Sequence, residues 1–228
     1  MKKSNFYRLD PRLQELLRNR GFNSLRKIQE DSIEIQFNNE NLLIVAPTAS
    51  GKTEAALLPI ISSILSDKIN ETCLKCIYVA PLKALLNDIE NRLLQLKDYE
   101  DSQPYILKWH GDVPRSKKLK GLKDIPDILL ITPESLEVLF ISPHINQVKL
   151  FEQVKYIVID EVHNFSSNPR GAQLISIISR VESVSNYPIQ KIGLSATVGN
   201  PLKILEWMTH KSHLNSRYLL SEEGSKKI

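Results

Sequence analysis

Six short apolar runs, at residues 42–46, 76–80, 105–109, 127–131, 154–159 and 189–194, are separated along most of the chain by stretches with helical periodicity. A parallel strand pair needs a crossover of a dozen residues or more, and a helix is its usual form. The alternation therefore predicts an α/β fold: a mostly parallel sheet with helices on both faces. Asp10-Pro11 reads as the start of an earlier helix, with Asp as cap, Pro in the first turn and leucines at 13, 16 and 17 on the buried face. A second helix is expected from Leu25 to Phe37. Sheets of this kind bind ligands beyond the carboxyl ends of their strands, so the residues just after each apolar run carry the functional information.

Two of those junctions carry recognisable chemistry. Ile44-Val45-Ala46-Pro47-Thr48-Ala49-Ser50-Gly51-Lys52-Thr53 sets a Gly-Lys-Thr turn after one run, and Ile157-Val158-Ile159-Asp160-Glu161 sets two carboxylates after another. Together they describe a magnesium-nucleotide site. A triphosphate is met by successive backbone N–H groups, the positive end of a helix dipole, a cation and a metal ion. Thr48, Ala49, Ser50 and Gly51 form the loop, Lys52 is expected to reach the β- and γ-phosphates, and the Thr53 hydroxyl and Asp160 to hold Mg2+. Glu161 is the expected base for the attacking water. Each half has a plainer reading: an ordinary strand-to-helix turn, with Ala46 where the general pattern asks for glycine, and a helix N-terminus that favours carboxylates. Their occurrence in this order, each after an apolar run, favours the nucleotide site.

Composition narrows the remaining classes. The chain has 228 residues, 42% of them hydrophobic, which suits one large folded unit, and no apolar stretch is long enough for a bilayer. Met1-Lys2-Lys3 is followed by Ser4-Asn5-Phe6-Tyr7-Arg8 rather than an apolar signal region, so a cytoplasmic protein is expected. The formal charge of +4 permits a polyanionic partner without requiring one. Cys73 and Cys76 lack the further ligands that zinc needs and read as reduced thiols entering a strand.

With these junctions placed, the chain resembles superfamily 2 helicases over nearly its whole length. Ala46–Thr53 is similar to motif I, Ala80-Pro81-Leu82-Lys83-Ala84-Leu85 to motif Ia, and Thr132-Pro133-Glu134-Ser135 to motif Ib. Asp160-Glu161-Val162-His163 resembles the DEAD/DEAH-type motif II, and Ser195-Ala196-Thr197 motif III. The strings Thr132–Glu137 and Gly193–Pro201 look most like the large helicase-related, or Lhr-type, members, with Ski-like and DEAD-box proteins more distant. Ala49 departs from the family loop, which commonly has glycine there.

The resemblance implies a RecA-like P-loop domain that binds Mg-ATP and a strand of DNA or RNA. The segment 21–29 is similar to the Q motif, which implies that the Gln29 amide reads the adenine edge while Phe6 stacks on the base. Motifs Ia and Ib imply phosphate contacts from Pro81, Lys83, Thr132 and Pro133, although a solvated first-turn lysine and a simple helix cap are the alternatives. His163, Ser195 and Thr197 are implied to couple hydrolysis to strand movement. Arg170 is implied to touch the strand, a surface turn at Arg170-Gly171 being the alternative. The basic run Arg115, Lys117, Lys118, Lys120 and Lys123 reads as a solvated helix face, with an extended nucleic-acid track as the alternative, and Trp109 as a core side chain, with stacking on a base as the alternative.

The expected organisation is N-terminal helices over 1–38, a RecA-like ATP-binding domain over 39–220, and a polar tail or linker start over 221–228. After Pro201 only about a helix and a strand remain, so the second RecA-like domain that supplies motifs IV to VI and an arginine finger is expected in a longer chain or a partner. A nucleotide-dependent clamp that does not unwind, and a restriction-type DNA translocase subunit, are the alternative functions.

Overall fold

The computed structural model describes residues 4–22, 24–67, 72–95, 104–111 and 124–221. Seven strands form one parallel sheet: β1 (Asn41–Val45), β2 (Cys76–Val79), β3 (Ile106–Trp109), β4 (Ile128–Ile131), β5 (Tyr156–Ile159), β6 (Gln190–Ser195) and β7 (Ser216–Leu220), in the order β3-β4-β2-β5-β6-β1-β7. Every pairing is parallel. The six expected runs correspond to β1–β6. β7, mostly exposed, completes the sheet beside β1.

The apolar runs are continuous rather than alternating because helices cover both faces. One face packs Leu42, Ile44, Tyr78, Ile128 and Val158 against α1 (Pro11–Asn19), α2 (Lys27–Phe37), α3 (Lys52–Ser66) and α4 (Lys83–Gln95). The other packs Leu43, Ile77, Leu129, Ile157 and Ile159 against α5 (Pro133–Ile141), α6 (Gln147–Phe151), α7 (Pro169–Val184) and α8 (Pro201–Met208). Registers Val45↔Ser195, Val79↔Ile159 and Val79↔Ile131 bring the carboxyl ends of the central strands to one edge. All the motif-bearing loops therefore rise from that edge.

Local chemistry explains the helices around it. Asp10 caps α1 by accepting from the Arg12 N–H, and the Arg12 guanidinium beside it holds its carboxyl below the usual range. α3 contains Pro59, which cannot donate to the carbonyl of Ala55 four residues back. That carbonyl is instead satisfied from α2, by the Ser32 hydroxyl at 2.6 Å and the Gln36 amide at 2.9 Å. The hydrogen bond that Pro59 cannot make is thus replaced from α2, whose first turn overlaps the segment that resembles the Q motif, and α2 is fixed against the helix that follows the phosphate-type loop.

Candidate functional site

The loop after β1 is held at its root by the Ala46 N–H, which donates to the Ser195 carbonyl on β6 at 3.0 Å. It then turns through two left-handed residues, Ala49 at φ 61° and Gly51 at φ 87°, before Lys52 begins α3. Glycine suits 51 by its φ, and a Cβ there would lie 2.6 Å from Gln29 Nε2, so that the Gln29 side chain would have to shift to admit it. At 49 the methyl group sits in a conformation that costs an L-residue about 1 kcal/mol, so the departure at Ala49 strains the backbone rather than crowding the loop. The Ser50 hydroxyl is buried without a hydrogen-bond partner, and Thr48 is exposed at the loop tip. Thr53 is half-buried in the first turn of α3.

Lys52 is buried and curls back into the loop, its ammonium donating to the carbonyls of Ala46 and, at 3.0 Å, Pro47. Burial lowers its pKa, opposed by the nearby charges of Glu161 and Asp160. Two residues from distant parts of the chain therefore act on Lys52 as neighbours. Asp160, at the end of β5, is 8% exposed, and burial raises its pKa. Its Oδ2 accepts from the Tyr78 hydroxyl at 2.8 Å and its Oδ1 from the Glu161 N–H at 2.9 Å. Glu161 is left-handed, at φ 47°, which swings the chain away from the strand into the short 3-10 turn Val162–Asn164.

That turn brings His163 to β6. His163 Nδ1 lies 2.8 Å from the Ser195 hydroxyl and 3.4 Å from Glu161 Oε2, and Ser195 donates to the Thr197 carbonyl at 2.9 Å. A continuous polar contact joins the carboxylate after β5 to the segment after β6. Thr197 enters it through its main chain.

Beside the loop lies a cleft of about 460 Å3 walled by Phe22, Arg26, Gln29, Ala49, Gly51 and Arg92. The Gln29 Oε1 accepts from the Arg26 N–H at 3.0 Å, its Nε2 stands 3.5 Å from the Gly51 carbonyl, and Arg26 Nη1 donates to the Ala49 carbonyl at 2.8 Å. Gln29 thus reaches the cleft, with one N–H and one lone pair beyond these contacts. Phe6 does not line it. The 3-10 turn Asn5–Arg8 is pinned to α2 by Asn5, whose N–H and side-chain amide both donate to Glu30, and it turns the Phe6 ring into the core beneath the Arg18 guanidinium. Phe6 thus lies in the core, away from the cleft, and the aromatic ring on the cleft wall is Phe22.

The loops after β2 and β4 are built more simply. Lys83 starts α4, with its ammonium beside Gly111, and Leu82 next to it is exposed. Thr132 caps α5 position-wise, its hydroxyl bonded to that of Ser135 at 3.0 Å, with Pro133 buried in the first turn. Arg170 joins the two loops, donating through Nε to Glu134 at 2.7 Å and through Nη2 to the Pro81 carbonyl at 3.2 Å. Gly171 admits no side chain, since a Cβ would stand 1.9 Å from the Phe165 carbonyl. Trp109 is buried. The basic run 115–123 lies outside the described residues.

Among the described residues no three His, Cys, Asp or Glu side chains cluster as a metal site, and Cys73 and Cys76 are free thiols. Magnesium needs no such cluster, because one or two carboxylates and phosphate oxygens suffice. Among the described residues, no helix is long and apolar enough to cross a membrane.

Comparison with known proteins agrees with this architecture. Residues 26–205 match the family model of the DEAD/DEAH box helicases. The chain is 33% identical over 224 residues to the ATP-dependent helicase Lhr-Core of Methanothermobacter thermautotrophicus, covering 93% of this chain and 26% of that protein. It is also 33% identical over 205 residues to the ATP-dependent DNA helicase Hel308 of Pyrococcus horikoshii, covering 90% of this chain and 26% of that protein. The solved structure of Mycobacterium smegmatis helicase Lhr bound to ssDNA and AMP-PNP superimposes with a TM-score of 0.85 at 26% identity, covering 96% of this chain and 28% of that one. The chain thus spans about a quarter of the length of these relatives. Its fold is RecA-like, and the sequence resemblance to Lhr-type helicases stands.

Proposed function

This chain belongs to the DEAD/DEAH box helicase family, and we propose that it is the first, ATP-binding motor domain of an ATP-dependent DNA or RNA helicase or translocase. The observation that carries this reading is the convergence of Lys52, Asp160 and Glu161 at the carboxyl edge of the sheet, with His163 and Ser195 joining that corner to β6. The orphaned Ser50 hydroxyl and the side-chain-free Gly51 turn suit a phosphate pressed against the loop.

In this reading the amides of Thr48–Lys52 and the α3 dipole bind the phosphates. The Lys52 ammonium exchanges the carbonyls of Ala46 and Pro47 for β- and γ-phosphate oxygens. Thr53 and Asp160 would hold Mg2+, which would supply positive charge to offset that of the phosphates. Glu161 orients and deprotonates the attacking water. Phe22 packs on the base and Gln29 presents its remaining N–H and lone pair to the base edge. His163, Ser195 and Thr197 relay the state of that corner to β6.

On the same sheet edge, Pro81, Lys83, Thr132, Pro133 and Arg170 would face the backbone of one nucleic-acid strand. Helix N-termini, a cation and hydroxyls suit phosphates and read no sequence. The Arg170 bridge between the Pro81 loop and α5 would keep both phosphate-facing loops in register. Hydrolysis is proposed to need a second RecA-like domain, elsewhere in a longer chain, that contributes an arginine to the γ-phosphate. The proposed compartment is the cytoplasm.

The test is binding by this chain of a fluorescent ATP analogue, with and without Mg2+, and of single-stranded DNA and RNA. Saturable Mg-dependent nucleotide binding that Glu161→Gln preserves is expected. A folded chain that binds no nucleotide would exclude both the motor and the clamp readings.

A further inference from the structure

Tyr78 is out of place in its strand. β2 is otherwise Cys, Ile and Val, buried on both faces, and the phenol ring at its centre has no exposed surface. A hydroxyl in such a position costs free energy unless it finds a partner, and the ring could be replaced by an aliphatic side chain if packing were the only need. The hydroxyl does find one: Asp160 Oδ2, at 2.8 Å.

Register explains the reach. Tyr78 pairs with Val158 on β5, and Asp160 is two residues further on, where side chains return to the same face. The ring therefore lies along the sheet beside Val158, and its para oxygen arrives at the carboxylate just beyond the strand end. Phenylalanine would fill the same space and fall short of the bond. With Oδ1 already accepting from the Glu161 N–H, the carboxylate is pinned at both oxygens, once by its own backbone and once by a neighbouring strand. That strand ends at Val79 and runs within two residues to Pro81, whose carbonyl Arg170 holds.

We propose that Tyr78 is a positioning residue, orienting the Asp160 carboxylate to receive magnesium and tying that orientation to the strand that leads into the Pro81–Lys83 loop. This rests on the reading of Asp160 as the metal carboxylate. Ligand-orienting hydrogen bonds of this kind change metal affinity by about 10- to 100-fold when removed.

The experiment is a titration of a fluorescent ATP analogue against the full chain over a range of Mg2+ concentrations, and again in EDTA, for wild type, Tyr78→Phe and Asp160→Asn. Circular dichroism checks the fold, and Tyr78→Met serves if the phenylalanine variant does not fold. For Tyr78→Phe the Mg2+ concentration giving half the full enhancement should rise about tenfold, while the affinity in EDTA stays at the wild-type value. In an Asp160→Asn background Tyr78→Phe should add nothing. An unchanged Mg2+ dependence, or equal losses with Mg2+ and in EDTA, would overturn the proposal, the second because it marks a general packing defect. Should Asp160→Asn itself keep the wild-type Mg2+ dependence, the reading beneath the proposal is what fails. Should Asp160→Asn lose it while Tyr78→Phe keeps it, only Tyr78 is misassigned.

Discussion

The loops after β1, β5 and β6 and the loops after β2 and β4 leave the same edge of one sheet, yet they are constructed on different terms. Around β1 and β5 the backbone is left-handed at Ala49, Gly51 and Glu161, two charged side chains are buried, and polar contacts cross from one loop to the next. Around β2 and β4 the chain passes into ordinary helix N-termini, Leu82 is exposed, and the main tie is a surface ion pair between Arg170 and Glu134. A site that must place a few atoms against one phosphate needs strain and burial to fix them. A surface that meets repeating phosphates needs only donors at a suitable spacing.

That contrast breaks first if Lys52→Ala is mild. Losing charge-assisted hydrogen bonds to phosphate should cost about 2–3 kcal/mol of nucleotide affinity, read by titration of the folded variant, and an unchanged affinity would mean the buried cation serves the loop alone. Phe22→Ala should cost about 1–2 kcal/mol through lost stacking. The same change at Phe6 should lower the melting temperature while sparing nucleotide affinity in whatever fraction stays folded. Equal affinity losses at both would erase the distinction between cleft wall and core.

Asp160→Asn sharpens the comparison through stability. Burial raises the Asp160 pKa, so its ionised form is less favourable in the folded chain than in the unfolded one. The carboxylate's unfavourable contribution is therefore absent at pH values below the ordinary carboxylate range and appears as pH rises through the folded pKa. Thermal unfolding should show the asparagine variant more stable than wild type by about 1 kcal/mol at neutral pH, with the difference shrinking in acid. A less stable variant at pH 7 would show that its hydrogen bonds outweigh its desolvation. Ala49→Gly should also stabilise, by about 0.5–1 kcal/mol, because it removes the left-handed cost. Arg170→Ala should have the smallest effect on folding, below about 1 kcal/mol and diminished by salt. Its signature is a weaker grip on single strands with nucleotide affinity unchanged. Reversal of that pattern would place Arg170 in the nucleotide corner.

The sequence made the scaffold readable because its signals are local. Each buried parallel strand is one apolar run, Asp10-Pro11 announces α1, and Gly51-Lys52-Thr53 and Asp160-Glu161 follow their runs directly. β7 was harder to see, since Ser216–Leu220 is an exposed edge strand whose partners are set by β1 rather than by its own hydrophobicity. What stayed hidden depends on contacts across the fold. Phe6 and Phe22 are both upstream aromatics that touch the core, and the Asn5–Glu30 clamp pins the turn that buries Phe6 while Phe22 stays half-buried on the cleft wall. Tyr78 looks like any strand aromatic until β2 is known to lie beside β5 in the register that carries its hydroxyl to Asp160. The Ala55 carbonyl needs Ser32 and Gln36 only because Pro59 follows in the same helix, a need visible in sequence but with no hint of who meets it.

The central claim is that the loop after β1 and the carboxylates after β5 close on a single Mg-bound nucleotide. Backbone amide NMR of the chain titrated with AMP-PNP and Mg2+ tests it most directly. The account predicts that the amides of Gly51, Lys52 and Thr53 and those of Glu161 and Val162 shift together, with one affinity, and that omitting Mg2+ weakens the response after β5 first. Shifts confined to one of the two loops at saturation, or centred on residues away from both, would contradict it.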